Sequence, residues 1–411
     1  MNLLNVDTIG ETRARLMEHC QWISPKTETA DLIHAVGRIL ALDLSSSENI
    51  PPYRRSTVDG YAVRSSDIGA ASDMLPTFLR VAGEVILGSD SSDLSVEAGC
   101  CVYTPTGGEI PRGADCVVMV EYCEAFGDGM LAVSRSASPG ENIVQPGEDI
   151  KSGESLFKKG RILCAQDIGT MAAVGITAVP VFVPWAITII STGDELVSPD
   201  AVPGPGQIRD INSYTIAARS IREGLYVSRM IAVKDDREAL QKALEEAKKN
   251  SDVIVMSGGS SKGKKDMSSE LIEAAADSGV ITHGIAAKPG KPTITGFDRK
   301  SRTMFIGLPG HPAAALMIFE QTVIKIWHDM TGQAEDLTVC ARITANVQSA
   351  PGRHTFQLVT LTEKTGVIEA VPLFAKSGMI SPMSRSDGYF EMTENQEGVR
   401  AGDLVKIHRW K

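Results

Sequence analysis

Lysine, glycine and serine are concentrated in residues 252–312, and these residue types suit a site for phosphate or another oxyanion. The first loop of this stretch, SGGSSKGKKD, follows an apolar run and precedes a helical pattern, so its backbone N–H groups can point at an anion. Its candidate binding residues are Ser257, Gly258, Gly259, Ser260, Ser261 and Gly263. The spacing matches neither a Walker A loop nor a dinucleotide fingerprint, so a purely structural turn is the alternative.

The second loop, KPGKP at residues 288–292, places Lys288 and Lys291 around a rigid turn. The two prolines restrict the backbone, and the glycine between them permits a tight bend. Two ammonium groups held in this way suit an oxyanion; a solvated basic turn is the alternative. This loop is therefore a candidate site for an oxyanion.

The third loop, GLPGHP, opens a helix. Pro312 suits the first helical position, and Pro309, Gly310 and His311 lie just before it. A helix start offers free N–H groups and the positive end of the helix dipole. His311 is either a ligand contact or a residue that caps or packs the helix.

Acidic residues follow the apolar runs of the same region. Asp194 and Glu195 lie in STGDEL, Asp235 lies in AVKDD, and Asp266 closes the first loop. Carboxylates combined with substrate oxygens are the ligands that Mg²⁺ prefers. We expect a magnesium site formed by Asp194, Glu195, Asp235 and Asp266, with helix capping as the alternative for each acid.

Alternating strand and helix patterns are expected to position these loops. Strand-type runs at 186–190, 226–236, 252–259 and 303–310 alternate with helical patterns at 213–223 and 236–250. This alternation predicts parallel βαβ units in a doubly wound α/β domain that covers residues 180–332. The loops after parallel strands then meet at one edge of the sheet.

The rest of the chain predicts three further regions. Helical spacing at 10–23, 28–42 and 165–174 indicates an elongated support domain, discontinuous over 8–47 and 141–179. Short β-type runs predict a β insertion domain at 48–140 and a small C-terminal barrel at 333–411. The predicted fold class is multidomain α/β plus β.

Bulk composition excludes several classes of function. The formal net charge of −10 argues against non-specific nucleic-acid binding, and no apolar run approaches the length of a membrane span. The seven cysteines form no CxxC pair, which favours free thiols in a reducing compartment. The N-terminus has no signal-peptide pattern, so we expect a cytoplasmic protein.

Taken together, the motifs resemble those of the MoeA family, the molybdopterin molybdenumtransferases, which includes the gephyrin E domain. The resemblance covers nearly the whole chain, and the sequences of some motifs are closer to those of the archaeal-type branch. The matching motifs are PPYRRSTVDGYAVR, TGGEIPRGADCVVMVE, GENI, GEDI, STGDEL, QIRDINSY, SGGSSKGKKD, KPGKP, GLPGHPAAALMIFE and PGRHTF.

The resemblance implies a MogA-like central domain and a homodimer with a shared active site. It also implies insertion of molybdate, or tungstate, into adenylylated molybdopterin, with release of AMP and with Mg²⁺. A molybdopterin adenylyltransferase and molybdoenzyme acceptors are possible partners. By motif position, the catalytic residues would be Asp59, Thr106, Glu195, Asp235, Asp266, Lys288, Lys291 and Ser377, with Pro309 and Pro312 in the helix-start loop.

Several positions depart from the family pattern. Gly284 stands where some members carry a further lysine, Val144 where arginine is often found, and His311 where Asn or Tyr is common. These departures keep one alternative open, a scaffold that binds molybdopterin without turnover. The related α/β domain of MogA-like proteins keeps open another, a nucleotidyltransferase that adenylylates the pterin.

Overall fold

The computed structural model describes residues 6–258, 265–334 and 338–410, and its first element is a capped helix. Helix α1 (Ile9–Cys20) follows Thr8, whose hydroxyl accepts the N–H of Glu11, while the Glu11 carboxylate accepts the N–H of Thr8. Leu16 is fully buried in a core shared with the central sheet. The helix predicted over 10–23 is confirmed as α1 and one 3₁₀ turn.

The helix predicted over 28–42 is wrong. This segment contains strand β1 (Thr27–Asp31) and a short 3₁₀ turn (Leu32–Ala35), and strand β2 (Leu44–Ser45) follows it. Its backbone is paired with residues far along the chain: Thr27 lies opposite Phe182. Local apolar spacing does not report such a long-range pairing.

The predicted β insertion domain is built mainly of strands. Its strands are β3 (Arg55–Ser56), β4 (Gly60–Val63), β5 (Thr77–Glu84), β6 (Cys100–Thr104), β7 (Cys116–Met119), β8 (Cys123–Ala125) and β9 (Met130–Val133). Six of them form one sheet in the order β7-β4-β6-β5-β9-β8. Neighbouring residues alternate between the two faces: Val63 and Cys101 pack into one core, Ala62 and Val102 into another.

After the β insertion, the chain returns to the support region. The returning elements are β10 (Ile143–Val144), β11 (Ser155–Phe157), α2 (Ala165–Ala173) and β12 (Ala178–Phe182). Strand β12 pairs antiparallel with β1, and β11 pairs with β2. Leu40, Leu163, Met171 and Val181 share one core, so segments on both sides of the β insertion form one unit.

The central α/β domain contains a six-stranded sheet in the order β16-β13-β17-β21-β20-β18. Its strands are β13 (Ala186–Thr192), β14 (Leu196–Val197), β15 (Ile208–Arg209), β16 (Tyr226–Val233), β17 (Val253–Gly258), β18 (Val280–His283), β19 (Ala287–Lys288), β20 (Ile294–Asp298) and β21 (Thr303–Leu308). Its helices are α3 (Asn212–Arg222), α4 (Arg237–Ala247), α5 (Lys265–Ala275), α6 (Pro312–Phe319) and α7 (Lys325–Thr331), with a π-helical turn (Glu320–Ile324) before α7.

Helices cover both faces of this sheet, as a doubly wound domain requires. Ile189 and Val255 face the core that contains Ile216 of α3 and Leu316 of α6. The alternate strand residues, such as Ile190 and Ile254, face α4 and α5. The four strands β16, β13, β17 and β21 are parallel, as predicted. Strands β20 and β18 were not predicted, and their antiparallel pairing makes the sheet mixed.

The C-terminal domain is a closed five-stranded barrel, which confirms the predicted architecture. Its elements are β22 (Val339–Ile343), β23 (Val347–Gln348), β24 (His354–Lys364), β25 (Val367–Pro372), α8 (Ser381–Arg385), β26 (Gly388–Met392), β27 (Gly398–Val399) and β28 (Leu404–Arg409). The ladder β24-β25-β22-β28-β26 closes because β26 also pairs with β24. Strand β19 of the α/β domain adds to β24 and joins the two domains.

Two bulk properties follow from the structure. All seven cysteines are free thiols, and four of them are buried. No helix in the described ranges is long and apolar enough to cross a membrane.

Candidate functional site

The strand registers bring the three candidate loops to one edge of the central sheet. Ser257 lies opposite Leu308, so the first loop and the GLPGHP loop leave neighbouring strands at the same level. Gly307 lies opposite Ile294, and Ile294 opposite His283, so the loop that carries KPGKP emerges at this edge too. This carboxyl-terminal edge is where ligands bind in open α/β sheets.

Acidic residues lie on the same edge. The Thr192 hydroxyl at the end of β13 donates to Oδ1 of Asp235 over 2.7 Å. The backbone N–H of Asp235 is directed at Oδ1 of Asp194, with an N···O distance of 3.3 Å. The Glu195 carboxylate folds back over Gly193, where any Cβ would come within 3.0 Å of it. The structure thus brings Asp194 and Asp235 together across two strands.

The first loop starts at a position that only glycine fits. Gly258 has φ +127°, and a Cβ there would overlap the carbonyl oxygen of Thr192. Gly259, Ser260, Ser261 and Gly263 lie outside the described residues, as does the side chain of Asp266.

Asn212, at the start of α3, is a residue that sequence reasoning missed. Its amide nitrogen donates to the Ser257 hydroxyl over 2.7 Å and to the Gly310 carbonyl over 2.9 Å. Its amide oxygen is buried and has no hydrogen-bond partner among the described residues. Asn212 therefore ties the first loop to the third, and its place in the QIRDINSY motif was the available signal.

The KPGKP turn lies against both the α/β domain and the barrel. Lys288 ends strand β19, opposite Thr355 of the barrel. Gly290 has φ +132°, and a Cβ there would run into the side chain of Ile318 in α6. The side chains of Lys288 and Lys291 are exposed. Close packing of the turn thus leaves both ammonium groups open to a ligand.

His311 does not cap helix α6. It occupies the N-cap position, but its side chain makes no capping hydrogen bond, and Pro312 takes the first turn as predicted. The ring nitrogen Nδ1 lies 2.8 Å from the hydroxyl of Ser377 in the C-terminal domain. This contact connects the GLPGHP loop to the barrel, and sequence spacing could not have shown it.

A cavity of about 760 Å³ lies between the two domains at this contact. The α/β domain contributes Lys288, Pro289 and Leu316 to its wall, and the barrel contributes Phe356 and Ser377. Its size and its mainly apolar wall with a few polar groups are typical of a ligand site.

Asp59 and Thr106 lie together, but not in this cavity. Oδ1 of Asp59 accepts the backbone N–H of Thr106 over 2.8 Å, within the β insertion domain. The cavity wall comes from the α/β and C-terminal domains, and no described residue of the β insertion domain contributes to it.

We call the carboxyl-terminal edge of the central sheet, with its loops and acids, the rim. The acids of the rim could supply only part of the ligand set of a magnesium ion. Within residues 6–258, 265–334 and 338–410, no three His, Cys, Asp or Glu side chains converge on one point. Mg²⁺ commonly uses one or two carboxylates and takes its other ligands from phosphates and water. Asp194 and Asp235 match that pattern.

The fold and site together define a multidomain protein whose MogA-like domain carries candidate anion-binding loops and acids at one edge of its sheet. Three family regions match the chain in order: the MoeA N-terminal region (domain I and II) at residues 8–175, the probable molybdopterin-binding domain at 188–328, and the MoeA C-terminal region (domain IV) at 340–410.

Known proteins agree with this match. The molybdopterin molybdenumtransferase of Haemophilus influenzae is 30% identical, over 97% of this chain and 98% of its own length. Gephyrin of Dictyostelium discoideum is 32% identical, over 80% of this chain and 50% of its own length. The crystal structure of a molybdopterin biosynthesis MoeA protein from Pyrococcus horikoshii superposes with a TM-score of 0.83, at 33% identity, over 99% of this chain and 100% of that one.

The chain therefore belongs to the MoeA family, and it is an enzyme of molybdenum cofactor biosynthesis. The resemblance seen in the sequence motifs is confirmed over nearly the full length.

Proposed function

We propose that the chain is a molybdopterin molybdenumtransferase that inserts molybdate, or tungstate, into adenylylated molybdopterin and releases AMP. The observation that carries this proposal is the interdomain cavity. It brings Lys288 of the α/β rim and Ser377 of the barrel to one space large enough for a pterin. Acids at two neighbouring strand ends lie on the same edge.

The chain's own residues supply positioning and charge in this proposal. Lys288 and Lys291 hold oxygens of molybdate or phosphate, because each is exposed on a turn that packing fixes. The N–H groups around Gly258 and the start of α6 receive the pterin phosphate. Asn212 keeps these two loops at a constant separation. No nucleophilic side chain is needed, because holding the reactants in place accounts for much of such a barrier.

Magnesium belongs to the proposal as a cofactor held by Asp194 and Asp235, with Glu195 and Asp266 completing the set. When bound, it neutralises the negative charge of the phosphoanhydride. The acids also keep unbound anions away from this part of the rim, so the lysine turn is the preferred place for free molybdate.

We further propose a homodimer in which the β insertion domain of one protomer completes the site of the other. Asp59 and Thr106 form a local pair outside the cavity of their own protomer, so their motif-based role requires a second copy. A molybdopterin adenylyltransferase upstream and a molybdoenzyme acceptor downstream are the partners that this chemistry implies. A cytoplasmic location is part of the proposal, supported by the seven free thiols.

The test is an AMP-release assay with purified protein, adenylylated molybdopterin, molybdate and Mg²⁺. We expect AMP and molybdenum-loaded pterin in equal amounts, and the absence of both rejects the proposal. Tight binding of molybdopterin without cleavage would indicate a scaffold. Formation of adenylylated pterin from ATP would indicate an adenylyltransferase.

Variants sharpen this assay. Lys288→Ala should abolish turnover and leave the melting temperature unchanged, because the side chain is exposed. Lys300→Ala is the matched control, since Lys300 is an exposed lysine in the turn between β20 and β21, at the opposite edge of the sheet. Full activity in the Lys288→Ala variant would remove the KPGKP turn from the site.

A further inference from the structure

A second cavity, of about 540 Å³, lies at the opposite end of the central sheet. It is lined by Ala186 at the start of β13, Asp252 just before β17 and Arg302 just before β21. We call it the amino-edge pocket. Strand β13 has seven residues, so about 20 Å separates this pocket from the carboxyl-terminal rim.

The amino-edge pocket is locally basic in an acidic protein. Lys26, Lys248, Lys249 and Arg302 line it against one acid, Asp252, although the whole chain has a formal net charge of −10. Lys248 already has partners within the protein, because its ammonium group lies 3.1 Å from Oδ2 of Asp298 and donates to the Ala275 carbonyl.

The other three cations, those of Lys26, Lys249 and Arg302, are exposed and form no ion pair with any described residue. Unpaired cations in a concave site attract an anion, because the low-dielectric walls concentrate their field.

An aromatic surface and a hydrogen-bond acceptor lie in the same pocket. Trp22 is 46% exposed, which is unusual for a large aromatic side chain in a cavity wall. Oδ2 of Asp252 accepts the N–H of Ala186 over 2.8 Å, whereas Oδ1 accepts no hydrogen bond from the described residues. A half-buried carboxylate oxygen of this kind is best satisfied by an N–H donor.

These features select among the anions that could enter. A bare phosphate would gain from the cations, but it would leave Trp22 uncovered and would be repelled by Asp252. A planar heterocycle with an N–H group would cover the indole and donate to the carboxylate, while its phosphate would face the cations. A cavity of 540 Å³ is within the usual range for such a molecule.

We propose that the amino-edge pocket binds a phosphorylated planar heterocycle of mononucleotide size, with its ring on Trp22 and its phosphate facing Lys249 and Arg302. The pocket lies where the segment between β12 and β13 connects the support region to the α/β domain, since Val183 and Trp185 line it. The bound molecule would contact both parts and stabilise their junction. The proposal does not depend on the reaction assigned to the carboxyl-terminal rim.

The experiment titrates the full-length protein with AMP, GMP, ribose 5-phosphate and inorganic phosphate, and follows tryptophan fluorescence and heat of binding. We expect AMP or GMP to quench the fluorescence and to bind about 10-fold more tightly than ribose 5-phosphate, as stacking of one base on an aromatic ring predicts. Equal binding of ribose 5-phosphate and both nucleotides would overturn the proposal.

Variants separate this pocket from the rim. In Trp22→Phe the quench should disappear, and in Lys249→Gln/Arg302→Gln nucleotide affinity should fall at least about 10-fold. Lys242→Gln is the matched control, because Lys242 is an exposed lysine on neighbouring α4 that does not line the pocket. Melting curves check that each variant folds. Nucleotide binding that survives these pocket substitutions and disappears in Lys288→Ala would place the ligand at the rim and overturn the proposal.

Discussion

The carboxylate of Asp59 accepts a hydrogen bond from the backbone nitrogen of Thr106 over 2.8 Å, across 47 residues of sequence. The contact holds the loop that contains TGGEIPRG against the turn that contains STVDG. Both residues are exposed, so the pair can present a fixed carboxylate and hydroxyl to a partner subunit.

The first prediction separates the charge of Asp59 from its hydrogen bond. Asp59→Asn keeps an acceptor oxygen for Thr106, so the free energy of unfolding should change by less than about 1 kcal/mol. AMP release should nevertheless fall at least about 10-fold, because the negative charge is lost. Asp115→Asn is the control: Asp115 accepts two hydrogen bonds from Ser65 in the same domain, so stability should fall and turnover persist. Normal turnover in Asp59→Asn would reduce Asp59 to a structural role.

Gly258 provides the second prediction. An alanine there would combine a left-handed backbone with overlap of the Thr192 carbonyl oxygen. We expect Gly258→Ala to lower the free energy of unfolding by more than about 3 kcal/mol, because steric overlap adds to the backbone strain. Gly153→Ala isolates the backbone effect, since Gly153 has φ +84° and nothing within 4 Å of its Cβ position; it should cost about 1 to 2 kcal/mol. Urea unfolding measures both, and equal losses would show that the close approach to Thr192 is unimportant.

The contrast between Gly258 and His311 shows how far the sequence could predict the site. The strand that ends at Gly258 is apolar and is followed by glycine, so its position and its edge of the sheet could be predicted from local pattern and parallel topology. The contact between His311 and Ser377 joins residues 66 positions apart in different domains, and no local pattern carries that information. The role of Asn212 was missed for the same reason, because its two partners come from separate loops.

The errors in the predicted fold have a similar cause. Ile294–Asp298 is a short strand next to a proline-rich turn, and its direction depends on pairing with β21 rather than on its own residues. Residues 28–42 carry apolar spacing that fits a helix, but pairing with β12 satisfies their backbone instead. In both segments, pairing with a distant strand determined the secondary structure.

The third prediction concerns acid stability of the barrel. Burial alone would raise the pKa of Glu391, but the hydrogen bond from His354 and the charges of Lys325 and His408 outweigh it and lower the pKa from 4.5 to about 2. A depressed carboxyl pKa stabilises the folded state above the unfolded value and loses that contribution as the pH falls. Stability of the C-terminal domain should therefore decrease between pH 4.5 and about 2, by up to about 3 kcal/mol.

Urea unfolding at a series of pH values, followed by tryptophan fluorescence, tests this prediction. Glu391→Gln should flatten the decrease, because the titrating group is removed while Gln321 and His354 keep an amide partner. Glu397→Gln, an exposed substitution on the same barrel, should leave the decrease unchanged. An unaltered pH profile in Glu391→Gln would assign the acid sensitivity to other carboxyl groups.

The fourth prediction tests the shared site directly. If Asp59 of one protomer serves the Lys288 rim of the other, Asp59→Ala and Lys288→Ala are each inactive alone, yet a mixed dimer contains one intact site. Random pairing makes half of the dimers mixed, and half of their sites are intact, so co-expression should restore about one quarter of wild-type activity. AMP release by the whole co-expressed mixture, without selection of mixed dimers, measures this fraction. A mixture no more active than either variant alone would place both residues in the site of one protomer and reject the composite site.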